Sequence, residues 1–190
     1  RKKKKITSSD IPFERKIPYM PPGKGFEQVF AGTINGYWAT YNLQGKDINA
    51  QTIRDDDFRL DVQTDAAVAF IEKNQNSSFF FYLSYFAPHV PLEATEKYLS
   101  RFPEDMPERR RYSLAMISAM DDGVGRIKQS LRDLDLEDNT LIYFISDNGA
   151  PLKIHKEDRS LAFKGGAWNG SLNEPYVGEK GMISEGGIRV

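Results

Sequence analysis

Two stretches of the chain repeat apolar residues at three- and four-residue steps, the spacing of an amphipathic helix. The first predicted helix covers about residues 58 to 74, and Leu60, Ala67, Phe70 and Ile71 share one face of it. The second and longer helix covers about residues 108 to 134. Its apolar positions recur in the same way at Tyr112, Met116, Ala119, Met120, Ile127, Leu131 and Leu134. Each helix is expected to bury that face against a core.

Two continuous apolar runs of strand length predict buried strands. Residues 79 to 86 read Phe-Phe-Phe-Tyr-Leu-Ser-Tyr-Phe, and residues 140 to 145 read Thr-Leu-Ile-Tyr-Phe-Ile. Such runs are typical of strands that are covered on both faces. Because the longer predicted helix lies between them along the chain, the order is strand, helix, strand, which predicts an α/β fold with a parallel sheet.

The remaining segments are predicted to be poor in regular structure. Residues 1 to 24 hold a lysine run and several prolines, which disfavour both helix and central strand, so we expect an extended, loop-rich segment. The aromatic residues between 25 and 45 suggest a loop-rich surface whose rings either pack or line a sugar pocket. Residues 149 to 187 are rich in glycine and predict a long functional loop. Residues 185 to 190 resemble the beginning of a strand.

Composition narrows the class of protein. Hydrophobic residues make up 39% of the 190 residues, which indicates a globular protein rather than a disordered one. The formal charge of -1 creates no net electrostatic attraction to nucleic acid or to an anionic membrane. No apolar run approaches the roughly 18 residues of a membrane span. The chain holds no cysteine, which excludes disulfides, thiolate metal sites and a cysteine nucleophile within it.

Polar side chains that can carry chemistry follow both predicted strands. His89 comes soon after the first strand, Asp147 and Asn148 come directly after the second, and Lys180 lies in the glycine-rich loop. In doubly wound sheets, ligands bind outside the carboxyl ends of parallel strands. We therefore expect these four side chains to converge on one crevice.

Each of these residues has an ordinary interpretation beside the chemical one. Asp147 and Asn148 offer hard oxygen ligands suited to calcium or magnesium, but Asp-Asn-Gly is also common turn chemistry. His89 is either a proton donor or a packed loop residue, and Lys180 is either an anion contact or a surface lysine. Asp121 and Asp122 point in different directions from one helix, so they are predicted to be structural rather than a catalytic pair.

Taken together and in order, the motifs resemble those of the sulfatases of the alkaline-phosphatase-like superfamily. The segments that carry the resemblance are Ala87-Pro-His-Val-Pro91, Ser146-Asp-Asn-Gly149, Gly178-Glu-Lys-Gly181 and Glu185-Gly-Gly-Ile-Arg189. The resemblance covers roughly residues 21 to 190, and an ordered series is far more specific than any one motif. It implies that residues 25 to 190 are an internal part of a catalytic domain, cut at both ends, with a doubly wound, mostly parallel sheet flanked by helices.

The resemblance also implies an activity and a set of roles. The parent enzyme is expected to hydrolyse sulfate monoesters of a carbohydrate or aryl substrate, with a formylglycine nucleophile beside a divalent cation, usually calcium, with magnesium as the alternative. Asp147 and Asn148 would bind the metal, His89 would protonate the leaving oxygen, and Lys180 would contact the sulfate. The resemblance further implies a periplasmic or secreted enzyme.

The chain departs from the family pattern in ways that limit this expectation. The nucleophile motif, Cys or Ser followed by x-Pro-x-Arg, does not occur in it, nor do the paired aspartates of the metal site. The isolated chain is therefore expected to be inactive. Glu179 stands beside Lys180 where many relatives have glycine. His155 and Trp168 are predicted either to contact the substrate or to be ordinary loop residues.

Two other functions fit the same motifs. A phosphoesterase or phosphonate hydrolase of the same superfamily would share the metal motif and the fold. A non-catalytic relative that binds sulfated glycans would keep the fold but replace the nucleophile. The residue at the nucleophile position would separate both from a sulfatase.

Overall fold

The computed structural model describes residues 15–32, 34–152, 157–163 and 167–188. It divides into two compact units, Arg1–Asp56 and Asp57–Val190. In the described part of the first unit, residues 15–24 form two short 3-10 turns, Ile17–Tyr19 and Pro21–Lys24. The lysine run at residues 2–5 lies outside the described residues. The domain boundary suggested between residues 24 and 25 stays a prediction.

The first unit contains a three-stranded antiparallel sheet of β1 (Phe30–Gly32), β2 (Gly36–Tyr41) and β3 (Asp47–Arg54), in that order. Strand β2 holds three aromatic residues and a threonine, which suit a pleated, half-buried surface. Tyr37, Trp38 and Tyr41 are buried. The predicted loop-rich surface is therefore wrong here, because residues in this region pair as strands, and the burial of the three rings agrees with the alternative that they pack.

Two long helices dominate the second unit. Helix α1 covers Arg59–Asn74 and α3 covers Glu108–Asp133, with the one-turn helix α2 (Glu96–Leu99) between them. Both long helices confirm the helices that the apolar spacing predicts. Their predicted apolar faces meet in a core that includes Leu60, Met116 and Ala119. None of the helices in the described ranges is both long and apolar enough to cross a membrane.

Small and polar side chains set the closest approach of α1 and α3. The hydroxyls of Thr64 on α1 and Tyr85 share a hydrogen bond of 2.7 Å. A Cβ atom on Gly123 of α3 would lie 2.4 Å from the Tyr85 hydroxyl and 2.5 Å from Thr64 Oγ1. Burial raises the pKa of Tyr85, so its hydroxyl stays protonated and available for that bond.

Asp122, for which the sequence predicts a structural role, forms an ion pair that links two helices. Its two carboxylate oxygens accept hydrogen bonds of 2.8 and 2.7 Å from Arg101, just beyond α2. These bonds hold the pKa of Asp122 below its ordinary value, so the carboxylate stays charged and ties α3 to the end of α2.

The two apolar runs do not form the buried strands that the sequence predicts. Residues 79–86 alternate in burial as a strand does: Phe79 and Phe81 pack on Phe70 of α1, whereas Phe80 is 79% exposed. Residues 141–145 are exposed throughout. Among the described residues, β1 to β3 are the strands of the only sheet, so neither run has a ladder partner. A strand needs such a partner for its backbone and a covering layer for each apolar face.

The carboxyl-terminal part of the described chain is irregular, as predicted, up to a final helical turn. Residues 149–152, 157–163 and 167–184 contain no helix or strand, which agrees with the long glycine-rich loop. Helix α4 then covers Glu185–Ile188. The expected beginning of a strand at residue 185 is therefore wrong, because Gly186 and Gly187 make close contacts with the preceding loop that a single helical turn allows.

Candidate functional site

His89 lies in a tight turn directly after residues 79–86. Its backbone N–H donates to the carbonyl of Phe86 at 2.9 Å, and its ring centroid is 4.9 Å from that of Phe86. The imidazole Nδ1 is 2.7 Å from the carbonyl oxygen of Val90. Because a carbonyl only accepts, this contact places a proton on Nδ1 and leaves Nε2 as the ring nitrogen that can serve a ligand. The side chain is exposed, as a group that meets a substrate has to be.

Asp147 and Asn148 combine turn geometry with available oxygen atoms. The Ser146 hydroxyl donates to the Asn148 carbonyl at 3.1 Å, and the Asn148 side-chain nitrogen donates to the Gly149 carbonyl at 3.0 Å. In that second bond the amide nitrogen of Asn148 is the donor, so its amide oxygen remains available as an acceptor or ligand. The Asp147 carboxylate is exposed. The segment is thus a turn that also presents two hard oxygen ligands.

The structure joins the segment after Asn148 to the segment around Lys180. The backbone N–H of Lys180 donates to the Ala150 carbonyl at 3.1 Å, and that of Gly149 donates to the Gly187 carbonyl at 3.0 Å. We call residues 146–152 and 178–187 the loop pair. These two bonds hold the backbones of the two segments together, and the convergence of the Lys180, Asp147 and Asn148 side chains stays a prediction.

Glycines allow the loop pair to approach so closely. A Cβ atom on Gly149 would lie 1.8 Å from the carbonyl oxygen of Gly186, and one on Gly186 would lie 2.5 Å from that of Gly178. Both distances are far shorter than any real contact of a Cβ atom. Gly178 also has a φ of 102°, in the left-handed region that favours glycine.

Two polar residues that the sequence did not assign to the site hold the loop pair together. The Asn173 side chain accepts from Ala150 N–H at 2.7 Å, and its nitrogen donates to the carbonyls of Ala150 and Gly178 at 3.0 and 2.9 Å. The buried Glu179 carboxylate accepts the backbone N–H of Leu152. A lone asparagine in a loop carries no sequence signal for this role. The departure from the family at Glu179 was the available signal, since an unusual charge beside Lys180 needs a partner.

The structure does not connect His89 to the loop pair directly. Both belong to the second unit, but no hydrogen bond, ion pair or ring contact between described residues joins His89 to Asp147, Asn148 or Lys180. In the same ranges, no group of three or more His, Cys, Asp or Glu side chains is arranged to hold a metal. The convergence of all four residues on one crevice stays a prediction.

Trp168 borders a cleft that reaches the loop pair. The indole N–H donates to the Ser171 carbonyl at 2.6 Å, which fixes the ring. The cleft has a volume of about 420 Å³. Its lining residues are Leu152, Trp168, Leu172, Asn173, Glu174, Tyr176, Val177 and Gly178. The second predicted substrate contact, His155, lies outside the described residues.

Comparison with known proteins identifies relatives along most of the chain. A family model described as "Sulfatase" matches residues 9–179. The chain is 38% identical over 125 residues to arylsulfatase H of Homo sapiens, covering 65% of the chain and 20% of that protein. It is 28% identical over 190 residues to N-acetylgalactosamine-6-sulfatase of Homo sapiens, covering 90% of the chain and 33% of that protein.

Solved structures share the fold as well. The crystal structure of Ps i-CgsB in complex with k-i-k-neocarrahexaose superposes with a TM-score of 0.71 and 30% identity, over 90% of this chain and 40% of that one. These likenesses confirm the predicted fold class, a part of the α/β, doubly wound alkaline-phosphatase-like fold. The chain spans between a fifth and a third of the length of the two human relatives.

Proposed function

This chain belongs to the sulfatase family, and we propose that it forms part of a catalytic domain that hydrolyses sulfate monoesters. The observation that carries the proposal is the loop pair, in which backbone hydrogen bonds hold the segment of Lys180 against the segment of Asp147 and Asn148. A sulfate ester needs its anionic oxygens compensated and its leaving alcohol protonated. An oxygen-ligand pair, an ammonium and an imidazole meet those needs.

Asp147 and Asn148 would hold a divalent cation, calcium or magnesium. A carboxylate and an amide oxygen are the ligands these hard cations prefer, and the bond from the Asn148 nitrogen to Gly149 leaves the amide oxygen for that purpose. Two ligands are a minority of the roughly six to eight that calcium takes, so further ligands have to come from other residues of the complete enzyme. A bound cation would neutralise charge on the sulfate oxygens.

Lys180 would contact the sulfate and the leaving oxygen through its ammonium group. Its backbone is tied to Ala150, and its neighbour Glu179 is tied to Leu152. These bonds fix the base of the side chain before substrate arrives. A charge that is already in place stabilises a transition state without a cost of reorganisation.

His89 would protonate the leaving oxygen. The Val90 carbonyl accepts from Nδ1, so the ring would act as an imidazolium that carries protons on both nitrogens, and Nε2 would give its proton to the leaving oxygen as the ester bond breaks. The donated proton offsets the negative charge that develops on the alcohol oxygen. The neutral imidazole would then take up the proton that hydrolysis of the sulfate ester releases, which restores the imidazolium.

The substrate proposed is a sulfated carbohydrate, with an aryl sulfate as the alternative. Trp168 presents an aromatic ring in the cleft beside the loop pair, and such rings stack on the apolar faces of sugars and aryl groups. One matched structure, Ps i-CgsB, was solved with an oligosaccharide, which supports a carbohydrate. His155 remains a proposed contact from its place in the same long loop. A periplasmic or secreted location is proposed from the family resemblance.

The nucleophile proposed is a formylglycine, made from a Cys or Ser outside these residues. The chain has no cysteine, and none of its serines begins Ser-x-Pro-x-Arg. The 190 residues by themselves should therefore release no sulfate from 4-nitrophenyl sulfate.

The decisive experiment uses the protein expressed from its complete reading frame and measures sulfate release from 4-nitrophenyl sulfate and from sulfated glycans. His89→Gln should lower kcat by about 10²- to 10⁴-fold, the usual contribution of a general acid. Lys180→Met should lower it by about 10²- to 10³-fold, as the loss of one charge-stabilising donor does. Lys128→Met, on the exposed side of α3, is the matched control and should leave kcat unchanged.

Three results would reject the proposal in distinguishable ways. Faster hydrolysis of phosphonate or phosphate esters than of sulfate esters would favour a phosphoesterase. Binding of sulfated glycans without turnover would favour the non-catalytic relative. Full activity in both His89→Gln and Lys180→Met would remove these residues from the site.

A further inference from the structure

Arg59, the first residue of α1, is buried against the segment that carries His89. Its side chain is 1% exposed. The guanidinium donates to the Pro91 carbonyl at 2.6 Å, and its Nε atom lies 2.7 Å from a carboxylate oxygen of Glu93. These two contacts fall on the chain just after His89.

The same guanidinium also contacts the chain just before His89. It lies over the Phe86 ring at 4.7 Å from the ring centroid, and the Phe86 ring also contacts the His89 imidazole, with 4.9 Å between the ring centroids. The His89 backbone N–H donates to the Phe86 carbonyl at 2.9 Å. Arg59 therefore contacts the chain on both sides of His89, and the guanidinium and the imidazole contact the same aromatic ring, that of Phe86.

Stability alone does not account for an arginine at this position. Removing a guanidinium from water costs free energy, and the ion pair of the buried Arg59 with Glu93, which is 38% exposed, offsets only part of that cost because water screens the carboxylate. What an arginine offers instead is geometry: a rigid, planar group that donates in fixed directions and stacks on an aromatic face. The hydrogen bond to Pro91 and the stacking on Phe86 use both properties.

We infer that Arg59 is a positioning residue for His89, holding Phe86 and Pro91 so that the imidazole keeps one orientation. Helix α1 is a rigid element, and the Arg59 guanidinium connects it to the turn that carries His89. This inference rests on the proposed role of His89 as the group that protonates the leaving oxygen. A misplacement of about 1 Å in such a group can cost on the order of 10²-fold in rate.

The first test follows the imidazole itself and does not require activity. In the protein expressed from its complete reading frame, the ring ¹⁵N and ¹³C NMR signals of His89 are assigned by their loss in His89→Gln. Arg59→Lys, which keeps the charge but loses the planar fork, should shift and broaden those signals. Phe86→Leu removes the ring that both groups contact, so it should broaden the His89 signals, and it serves if Arg59→Lys does not fold.

The matched control is Arg109→Lys. Arg109 is also a buried arginine of the second unit, and its guanidinium donates to backbone carbonyls of Arg159, Ser160 and Phe163. Its loss should perturb that loop and leave the His89 signals in place. Unshifted and sharp His89 signals in Arg59→Lys would overturn the inference, as would sharp signals in Phe86→Leu if Arg59→Lys does not fold, and so would equal shifts in Arg109→Lys.

The second test separates positioning from general structural damage. Arg59→Lys should lower kcat about tenfold to a hundredfold for an alkyl or sugar sulfate, whose alcohol needs protonation, and less for 4-nitrophenyl sulfate, whose phenolate leaves readily. KM should change little. An equal loss with both leaving groups would contradict the inference. Absence of sulfatase activity in the unaltered protein would instead reject the proposed function, while the NMR result would still decide what Arg59 does.

Discussion

At the scale of single residues, the candidate site depends on its glycines as much as on its polar side chains. Gly149 meets the Gly186 carbonyl at a distance that leaves no room for a Cβ atom. Asn173 and Glu179 then supply hydrogen bonds that hold the two loops at that distance. The backbone of Lys180 is therefore held against the segment that follows Asn148 by close glycine contacts and by the hydrogen bonds of Asn173 and Glu179.

Gly149→Ala should open the loop pair. The added Cβ would lie 1.8 Å from the Gly186 carbonyl oxygen, so the hydrogen bonds from Gly149 N–H and Lys180 N–H have to lengthen or break. We expect faster amide hydrogen exchange at Lys180 and Leu152, with a smaller change in the global free energy of unfolding, because such loops open locally. Exchange is measured by NMR or by mass spectrometry.

Gly125→Ala is the control for that substitution, since a Cβ atom there meets nothing within 4 Å. It should leave the exchange of both loop amides unchanged. Unaltered exchange at Lys180 in Gly149→Ala would show that the close approach of the two loops does not hold that residue.

At the scale of elements, the second unit is organised by the crossing of α1 and α3. Gly123 is the point where α3 passes the hydrogen-bonded pair of Thr64 and Tyr85. Through Tyr85, this crossing also holds the extended residues 79–86 that lead to His89. A change at Gly123 is therefore expected to affect both helix packing and the segment that carries the proposed acid.

Gly123→Ala and Gly125→Ala should change stability in opposite directions, although both replace glycine by alanine in the same helix. Gly125→Ala should raise the free energy of unfolding by up to about 1 kcal/mol, the usual gain in helix propensity. Gly123→Ala should lower it by about 1–3 kcal/mol, because the new methyl group overlaps the Tyr85 and Thr64 oxygens. Urea denaturation followed by circular dichroism measures both.

The triple variant Gly123→Ala with Thr64→Ala and Tyr85→Phe tests the cause. Removing both oxygens should recover part of the loss caused by Gly123→Ala. If Gly123→Ala is as stable as Gly125→Ala, the approach of α1 and α3 is looser than the structure indicates.

At the scale of the whole molecule, the second unit leaves a large apolar surface uncovered. Phe80 and Tyr82 are exposed on one extended run, and residues 141–145 are exposed on the other, with Leu141 and Tyr143 each 80% exposed. Large apolar side chains that are exposed on neighbouring positions favour binding to other apolar surfaces or aggregation. The motifs of the proposed site directly follow both runs.

The isolated 190-residue chain should bind a hydrophobic dye such as anilinonaphthalene sulfonate while its helices remain folded. Leu141→Ser with Tyr143→Ser should lower the dye fluorescence and raise solubility, since it removes two neighbouring apolar side chains from water. The control is Ile34→Ser with Ile183→Ser, which are exposed but distant along the chain. Equal dye binding by the unaltered chain and the Leu141/Tyr143 variant would mean that this run is covered in solution.

The sequence by itself determined the two long helices. The spacing of their apolar residues, Leu60 and Met116 among them, follows the period of 3.6 residues, and this spacing is visible within each segment without knowledge of distant residues. It also identified the family, because several motifs occur in a fixed order. Only the tertiary structure decided which apolar segments are covered and which loops meet. Gly36–Tyr41, where the sequence predicts a loop-rich surface, pairs with neighbouring strands, whereas residues 140–145, where it predicts a buried strand, do not. Strand pairing and the contact of Gly149 with Gly187 depend on partners far away along the chain, and no local pattern encodes such partners.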